Sequence, residues 1–340
     1  MRIGILSSGG DCPGINATIR GVGKTAMLRY GIEVFGIHNG FSGLLNKNDM
    51  ELFNESNLSG ILNLGGTILG TSREKPFKKM LDSEDNTKPQ IIYQNYIEMG
   101  FDCVVCIGGN GTQKTAYKLS RKGMNIIGLP KTIDNDVYGT DYTFGFDSAV
   151  NIATEAIDRL HSTASSHKRV MVVEVMGHKA GWIALYAGMA GGADIILIPE
   201  LGYNMEHVNN KILARSQSGK PYSIVVIAEG LKTPGGDSPA RYISSRIHEA
   251  TGIEARTTVL GYIQRGGNPS PFDRNLATRI GGHATELIVN RQFGRMVSVK
   301  GNTVTSIDLA EVAGKTKLVP LDHELIRQGI NMGISFGTES

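Results

Sequence analysis

Short, almost wholly apolar runs alternate with stretches in which apolar residues recur at helical spacing along most of the chain. The runs fall at 2–6, 32–37, 103–107, 125–129, 169–175, 194–198 and 222–228. Runs of that length without strict polar alternation mark strands buried on both faces. Amphipathic stretches at 17–30 and 113–122, and another from Asp147 to about Ser162, predict helices between them. Strand and helix taking turns in this way predict a parallel sheet with helices on both faces. No repeat and no low-complexity tract interrupts the pattern.

Several of the strands end in glycine-bearing polar turns. Arg2-Ile3-Gly4-Ile5-Leu6 runs into Ser7-Ser8-Gly9-Gly10-Asp11-Cys12-Pro13-Gly14 before a helix, and Cys103-Val104-Val105-Cys106-Ile107 runs into Gly108-Gly109-Asn110-Gly111-Thr112 before another. Such turns let backbone N–H groups approach a ligand, and the helix N-terminus behind them favours anions. Neither turn has the Rossmann or Walker spacing, and a tight turn with no ligand explains each one singly. A third strand, Ile126-Ile127-Gly128-Leu129, ends in Pro130-Lys131-Thr132-Ile133-Asp134-Asn135-Asp136. In extended backbone Asp134 and Asp136 face the same way, so that one could accept a proton while the other holds a cation. The alternative is an Asp and Asn turn that satisfies its own backbone.

A second strand and helix series begins near residue 146. It includes the turn Met176-Gly177-His178-Lys179-Ala180-Gly181 and a strand ending in Glu229-Gly230, whose carboxylate suits a sugar hydroxyl or a helix cap. With 340 residues, two lobes are expected. The net charge of +3 and the 6% aromatic content offer neither a basic surface nor a stacking platform for nucleic acid. The apolar runs are too short to cross a membrane, and a cytoplasmic protein is expected. Three cysteines cannot pair completely, and Cys103 and Cys106 lie an odd offset apart within one strand, so the pair is not expected to hold a metal. Cys12, in a turn near a helix N-terminus, is either a reactive thiol or an inert small side chain.

Taken together and in order, these segments resemble the 6-phosphofructokinase family. The family's G-G-D-x-P-G-x-N stands at 9–16, and a form of its G-G-D-G-S/T at 108–112. Its P-x-T-I-D-N-D stands at 130–136, V-x-E-V-M-G at 172–177 and T-V-L-G-x-x-Q-R-G-G at 258–267. The resemblance implies two Rossmann-like lobes, each a mainly parallel sheet sandwiched by helices. Residues 1–145 with 258–303 would bind the phosphate donor, and 146–257 with 304–340 the sugar. It implies phosphoryl transfer from ATP to the 1-hydroxyl of fructose 6-phosphate with Mg²⁺, in a homotetramer whose sites are shared between subunits. Asp134 matches the base, and Thr132 and Lys131 stand beside the transferred group. Gly10, Arg73, Gly108, Gly109, Asn110, Gly111 and Thr112 match the donor site. Asn110 and Asp136 match the metal site. Arg169, Met176, Gly177, His178, Glu229, Arg256, Tyr262 and Arg265 match the sugar-phosphate site, together with Thr132, Asp134 and Asp136, and Arg169 and Arg256 are expected from a neighbouring subunit.

The chain departs from the family pattern at three of these positions. Asn110 replaces an acidic metal partner, His178 an arginine and Tyr262 a histidine. For the donor, Gly111 leaves the room that an aspartate fills in the family's pyrophosphate users, whereas Lys131 is a trait of those users. The resemblance therefore favours ATP and leaves pyrophosphate as the alternative. A catalytically silent regulatory subunit is a further reading, prompted by Asn110 and His178. Kinases of NAD or lipids share a G-G-D-G-T turn but lack the three arginines and the P-K-T-I-D-N-D segment. Basic residues of the family's allosteric nucleotide site recur only in part, with Arg20 and Lys24 present and His161 replacing another, so strong effector regulation is not expected.

Overall fold

The computed structural model describes residues 1–78 and 87–339. The strands in chain order are β1 (Arg2–Ser8), β2 (Glu33–Ile37), β3 (Met50–Leu52), β4 (Cys103–Gly108), β5 (Ile126–Pro130), β6 (Val170–Val175), β7 (Ile195–Leu197), β8 (Ser223–Ala228), β9 (Ala255–Val259), β10 (Arg295–Lys300) and β11 (Thr303–Asp308). The helices are α1 (Ile15–Lys24), α2 (Lys88–Glu98), α3 (Asn110–Ser120), α4 (Phe146–His167), α5 (Trp182–Ala190), α6 (Met205–Gln217), α7 (Pro239–Thr251), α8 (Pro271–Val289), the short α9 (Leu309–Val312) and α10 (Glu324–Asn331). Among the described residues, no helix is long and apolar enough to cross a membrane.

The chain divides into two units. The first holds Met1–Thr132, Asp136–Asp147 and Arg265–Thr316, and the second holds Ile133–Asn135, Ser148–Gln264 and the chain from Lys317 on. The first unit's sheet has the order β11-β10-β5-β4-β1-β2-β3. Its five inner strands run parallel, while β3 and β11 are antiparallel edges. Leu6, Val104, Cys106 and Ile126 are buried in its core with Leu119 of α3 and Ile92 of α2. Helices α1 and α8 approach closely at glycines: a Cβ on Gly21 would lie 2.9 Å from the Thr278 carbonyl oxygen, and one on Gly281 would lie 2.7 Å from Val22 N. The second unit's sheet, β7-β8-β6-β9, is wholly parallel. Val172, Val225, Ile227 and Leu197 are buried there against α6 and α7.

The fold is the doubly layered α/β architecture expected, with local differences. Strands β3, β9, β10 and β11 are additional to the apolar runs. Strand β9 is an edge strand of sequence Ala-Arg-Thr-Thr-Val with little burial, so it carries no apolar run to recognise. Helix α4 continues past Ser162 to His167. The hydroxyls beyond that point are absorbed inside it, Ser162 Oγ donating to Arg159 O at 3.1 Å and Ser166 Oγ to Ser162 O at 2.8 Å. Lys168, with φ of 52°, then ends it in the left-handed region. Helix α1 stops at Lys24 and the chain continues as a π-helical turn over Thr25–Arg29.

Candidate active site

Register decides what the first unit brings together. Ser8 of β1 pairs with Gly108 of β4, and Gly108 pairs with Pro130 of β5, so three adjacent parallel strands end level at the carboxyl edge. That edge is where open α/β sheets bind ligands. The Gly9-Gly10 turn, the Gly108–Thr112 turn and the segment from Lys131 therefore stand side by side. Helices α1 and α3 begin behind the first two turns without a side-chain cap, which leaves backbone N–H groups for an anion.

The turns are tied to one another by polar side chains. Lys131 is buried, and its ammonium donates to Ser8 O at 3.1 Å and also to Gly10 O, fixing a positive charge behind the first glycine turn. Thr112 Oγ1 donates to Ser8 O at 3.3 Å. A loop preceding Arg73 is zipped onto the same turn: Gly9 N donates to Ser72 O at 3.0 Å and Thr71 Oγ1 to Gly9 O at 2.6 Å. Arg73 follows directly and is exposed. Arg265 joins from the start of the segment leading to α8, its Nη1 donating to Asp11 O at 3.2 Å while its buried Nε makes no hydrogen bond among the described residues. Gln113, absent from the sequence reading, is fully buried, and its Nε2 donates to Gly108 O at 2.8 Å and Leu129 O at 2.9 Å, clamping the ends of β4 and β5.

The acidic segment differs from the extended form expected. Residues 133 and 134 form a turn and Asn135 has φ of 49°, so Asp134 and Asp136 do not share a face by strand alternation. Both carboxylates are buried all the same. Thr143 Oγ1 donates to Thr132 O at 2.8 Å and holds the segment's start. Asn110 Nδ2 donates to Asp136 Oδ2 at 3.0 Å and to Asp136 O at 3.1 Å. The amide's other atom, Oδ1, is buried with no hydrogen bond among the described residues. A hard oxygen beside a carboxylate suits a divalent cation such as Mg²⁺, which asks few ligands of the protein. Gly111 is exposed, and a Cβ there would meet nothing within 4 Å.

Cys12 belongs to this neighbourhood but not to its chemistry. Burial pushes its thiol up to about 12, with the charge of Lys131 pulling the other way. It is the inert side chain of the two readings. Burial likewise raises Cys103 and Cys106, and among the described residues no cluster of three His, Cys, Asp or Glu side chains could hold a metal.

In the second unit Met176, Gly177 and His178 follow β6, Glu229 follows β8 and Tyr262 follows β9, all at the carboxyl edge of that sheet. His178 N donates to Glu229 Oε1 at 2.8 Å, and Tyr262 is 76% exposed. Arg169 and Arg256 lie at the opposite, amino edge, where Met171 pairs with Arg256. Both grip Glu254, Arg169 Nε at 2.6 Å. Partial burial raises the Glu254 carboxyl, and the hydrogen bond and charge of Arg169, then the charge of Arg256, outweigh it and hold the group low. Arg169 and Arg256 thus stand at the edge of their sheet opposite to Met176, Glu229 and Tyr262.

Glycine turns over uncapped helix N-termini, fixed cations and buried carboxylates at three adjacent strand ends are the features of an α/β protein that handles phosphate. A family model described as Phosphofructokinase matches residues 2–288. The chain is 68% identical over 337 residues to the ATP-dependent 6-phosphofructokinase 3 of Bacteroides thetaiotaomicron, covering 99% of this chain and 100% of that one. Among solved structures, phosphofructokinase from Saccharomyces cerevisiae superposes with a TM-score of 0.82 at 31% identity, over 92% of this chain and 45% of the yeast chain. A pyrophosphate-dependent phosphofructokinase from Marinobacter aquaeolei superposes with a TM-score of 0.83 at 25% identity, over 100% and 92%. The chain belongs to the phosphofructokinase family.

Proposed function

We propose that the protein is an ATP-dependent 6-phosphofructokinase, moving the γ-phosphoryl group of ATP to the 1-hydroxyl of D-fructose 6-phosphate in the cytoplasm as a step of glycolysis. The observation that carries the reading is the level ending of β1, β4 and β5, which sets two glycine turns and the Lys131–Asp136 segment beside one another. The first unit binds the donor. Backbone N–H groups at α1 and α3 cradle its phosphates, while Lys131, Arg73 and Thr112 neutralise or hydrogen-bond their oxygens. Asp134 takes the proton of the sugar hydroxyl as its oxygen forms the new bond to phosphorus, and the bond from phosphorus to the ADP oxygen breaks. Thr132 stands next to the group in flight. Asp136 and Asn110 Oδ1 would hold Mg²⁺, which when bound neutralises donor charge.

The second unit binds the sugar phosphate through Met176, Gly177, His178, Glu229 and Tyr262. Arg265 of the same chain assists, and Arg169 and Arg256 reach a neighbouring subunit of a homotetramer. Planar guanidinium groups suit this work because they meet phosphate oxygens two at a time.

ATP is chosen over pyrophosphate on the open space at Gly111, and the naming of the Bacteroides relative agrees with it. Lys131 is the feature that favours pyrophosphate. Initial rates of fructose 1,6-bisphosphate formation with each donor at matched concentration decide the matter, with Gly111→Asp as the partner experiment. ATP should support turnover and pyrophosphate should not, and G111D should depress ATP use while leaving the melting temperature in place. A pyrophosphate rate exceeding the ATP rate would reverse the assignment. No rate with either donor would bring forward a silent regulatory subunit.

A further inference from the structure

The turn after β6 is held at both ends. Met176 N donates to Gln264 Oε1 at 2.8 Å, and His178 N donates to Glu229 Oε1 at 2.8 Å. Between these two anchors the backbone adopts conformations that L side chains rarely take. Gly177 has φ of 147°, and a Cβ there would lie 2.4 Å from Ala180 O, while His178 has φ of 53°. A Cβ on Gly230 would lie 2.3 Å from His178 O, so the strand end carrying Glu229 also packs hard against the turn. Backbone in such regions persists only where its surroundings over-determine it.

Gln264 is fully buried, and its Nε2 makes no hydrogen bond among the described residues. The acceptor half of the amide is therefore the half in use, and it is spent on one backbone N–H at the head of the turn. We propose that Gln264 is a positioning residue for the sugar phosphate: it fixes the Met176 amide, and through it the Met176, Gly177 and His178 backbone. This rests on the reading of that turn as part of the sugar-phosphate site. Glu229 differs in that it both braces the turn and offers its other oxygen to the ligand.

Two variants separate the roles. Gln264→Met keeps the volume and removes the acceptor, whereas Gln264→Glu keeps an acceptor for the Met176 N–H and removes the donor. Q264M should raise KM for fructose 6-phosphate about three- to tenfold, the scale of one net hydrogen bond, with KM for ATP changed less than about twofold. Amide hydrogen exchange in the peptide carrying Met176 should quicken in Q264M. Q264E should restore both the protection and the sugar KM. The proposal is overturned if Q264M quickens exchange without moving the sugar KM, if both KM values rise together, or if Q264E restores protection but not KM. Should Q264E fold poorly, the exchange rate and KM split of Q264M still decide. Absence of fructose 6-phosphate turnover in the unmodified protein would instead defeat the functional reading, leaving exchange to judge the brace by itself.

Discussion

At the scale of single residues, the proposed chemistry concentrates on Asp134. Its carboxylate is buried in a turn whose next residue, Asn135, sits in the left-handed region. An Asn tolerates that conformation better than most residues, since its short polar side chain can bond locally. The turn, rather than strand alternation, then sets the direction of the carboxylate. A general base contributes about 10²- to 10⁴-fold to such a step. Asp134→Ser should therefore lower kcat by about that factor and leave KM for fructose 6-phosphate within a few-fold, because the phosphate grip does not include it. Steady-state kinetics of the variant check this, and near-normal turnover would remove Asp134 from the role of base. Asn110 departs from the family's acid at its position, and the structure turns that amide into a bridge to Asp136 with one oxygen left over. The departure removes a charge beside Asp136 without abolishing the oxygen that the proposed Mg²⁺ site would use.

At the scale of elements, helix α10 carries a titratable cap. His323 Nδ1 accepts from Leu325 N at 3.2 Å, and the ring stands edge-on to Trp182 at 5.4 Å. Burial lowers its pKa below the ordinary 6.5, against the raising effect of Glu324 and Asp322. In the window below 6.5 the unfolded chain binds the proton more readily than the folded one. Stability should thus fall as pH drops through that window, since protonation also removes the cap's acceptor. Asn caps helices without titrating, so His323→Asn should flatten the loss of melting temperature between about pH 7.5 and about pH 5.5. Parallel losses in the two proteins would show that the cap is not responsible. The sequence made the buried parallel strands legible because strands covered on both faces must be apolar throughout. It left β3, β9, β10 and β11 unread: β3, β9 and β11 are edges, which need no such run, and the inner β10 has the sequence Arg-Met-Val-Ser-Val-Lys, whose polar residues break the apolar run. The glycine turns could be read from residue types, but the two glutamines that lock them could not. Gln113 is a polar residue of ordinary appearance and Gln264 stands in the 258–267 motif without a role attached, and only burial and partners reveal them as clamps.

At the scale of the whole molecule, the second unit's sheet separates two groups that the proposed sugar-phosphate site would need together. Arg169 precedes β6 and Met176 follows it, so in extended backbone about 23 Å lies between them. Arg256 lies level with Met171, two residues on from Arg169 and still towards the amino edge. No side chain spans that distance, so these arginines cannot reach a sugar phosphate held at their own subunit's carboxyl edge. The proposed homotetramer would resolve the conflict, because in a closed symmetric oligomer each subunit can lend its arginines to a neighbour and borrow another pair. The pairing of both arginines with Glu254 keeps them ordered at that edge meanwhile. The consequence is intersubunit complementation. Asp134→Ser subunits retain Arg169, and Arg169→Ala subunits retain Asp134. When the two inactive proteins are dissociated, mixed in equal amounts and reassembled, a site drawing its carboxylate from one and its arginine from the other is whole. Random assembly makes about a quarter of all sites whole. Activity should therefore return to about a quarter of the unmodified level, whereas the same mixture without dissociation stays silent. If reassembled hybrids remain as inactive as their parents, each subunit builds its site alone, and Arg169 serves only the Glu254 ion pair.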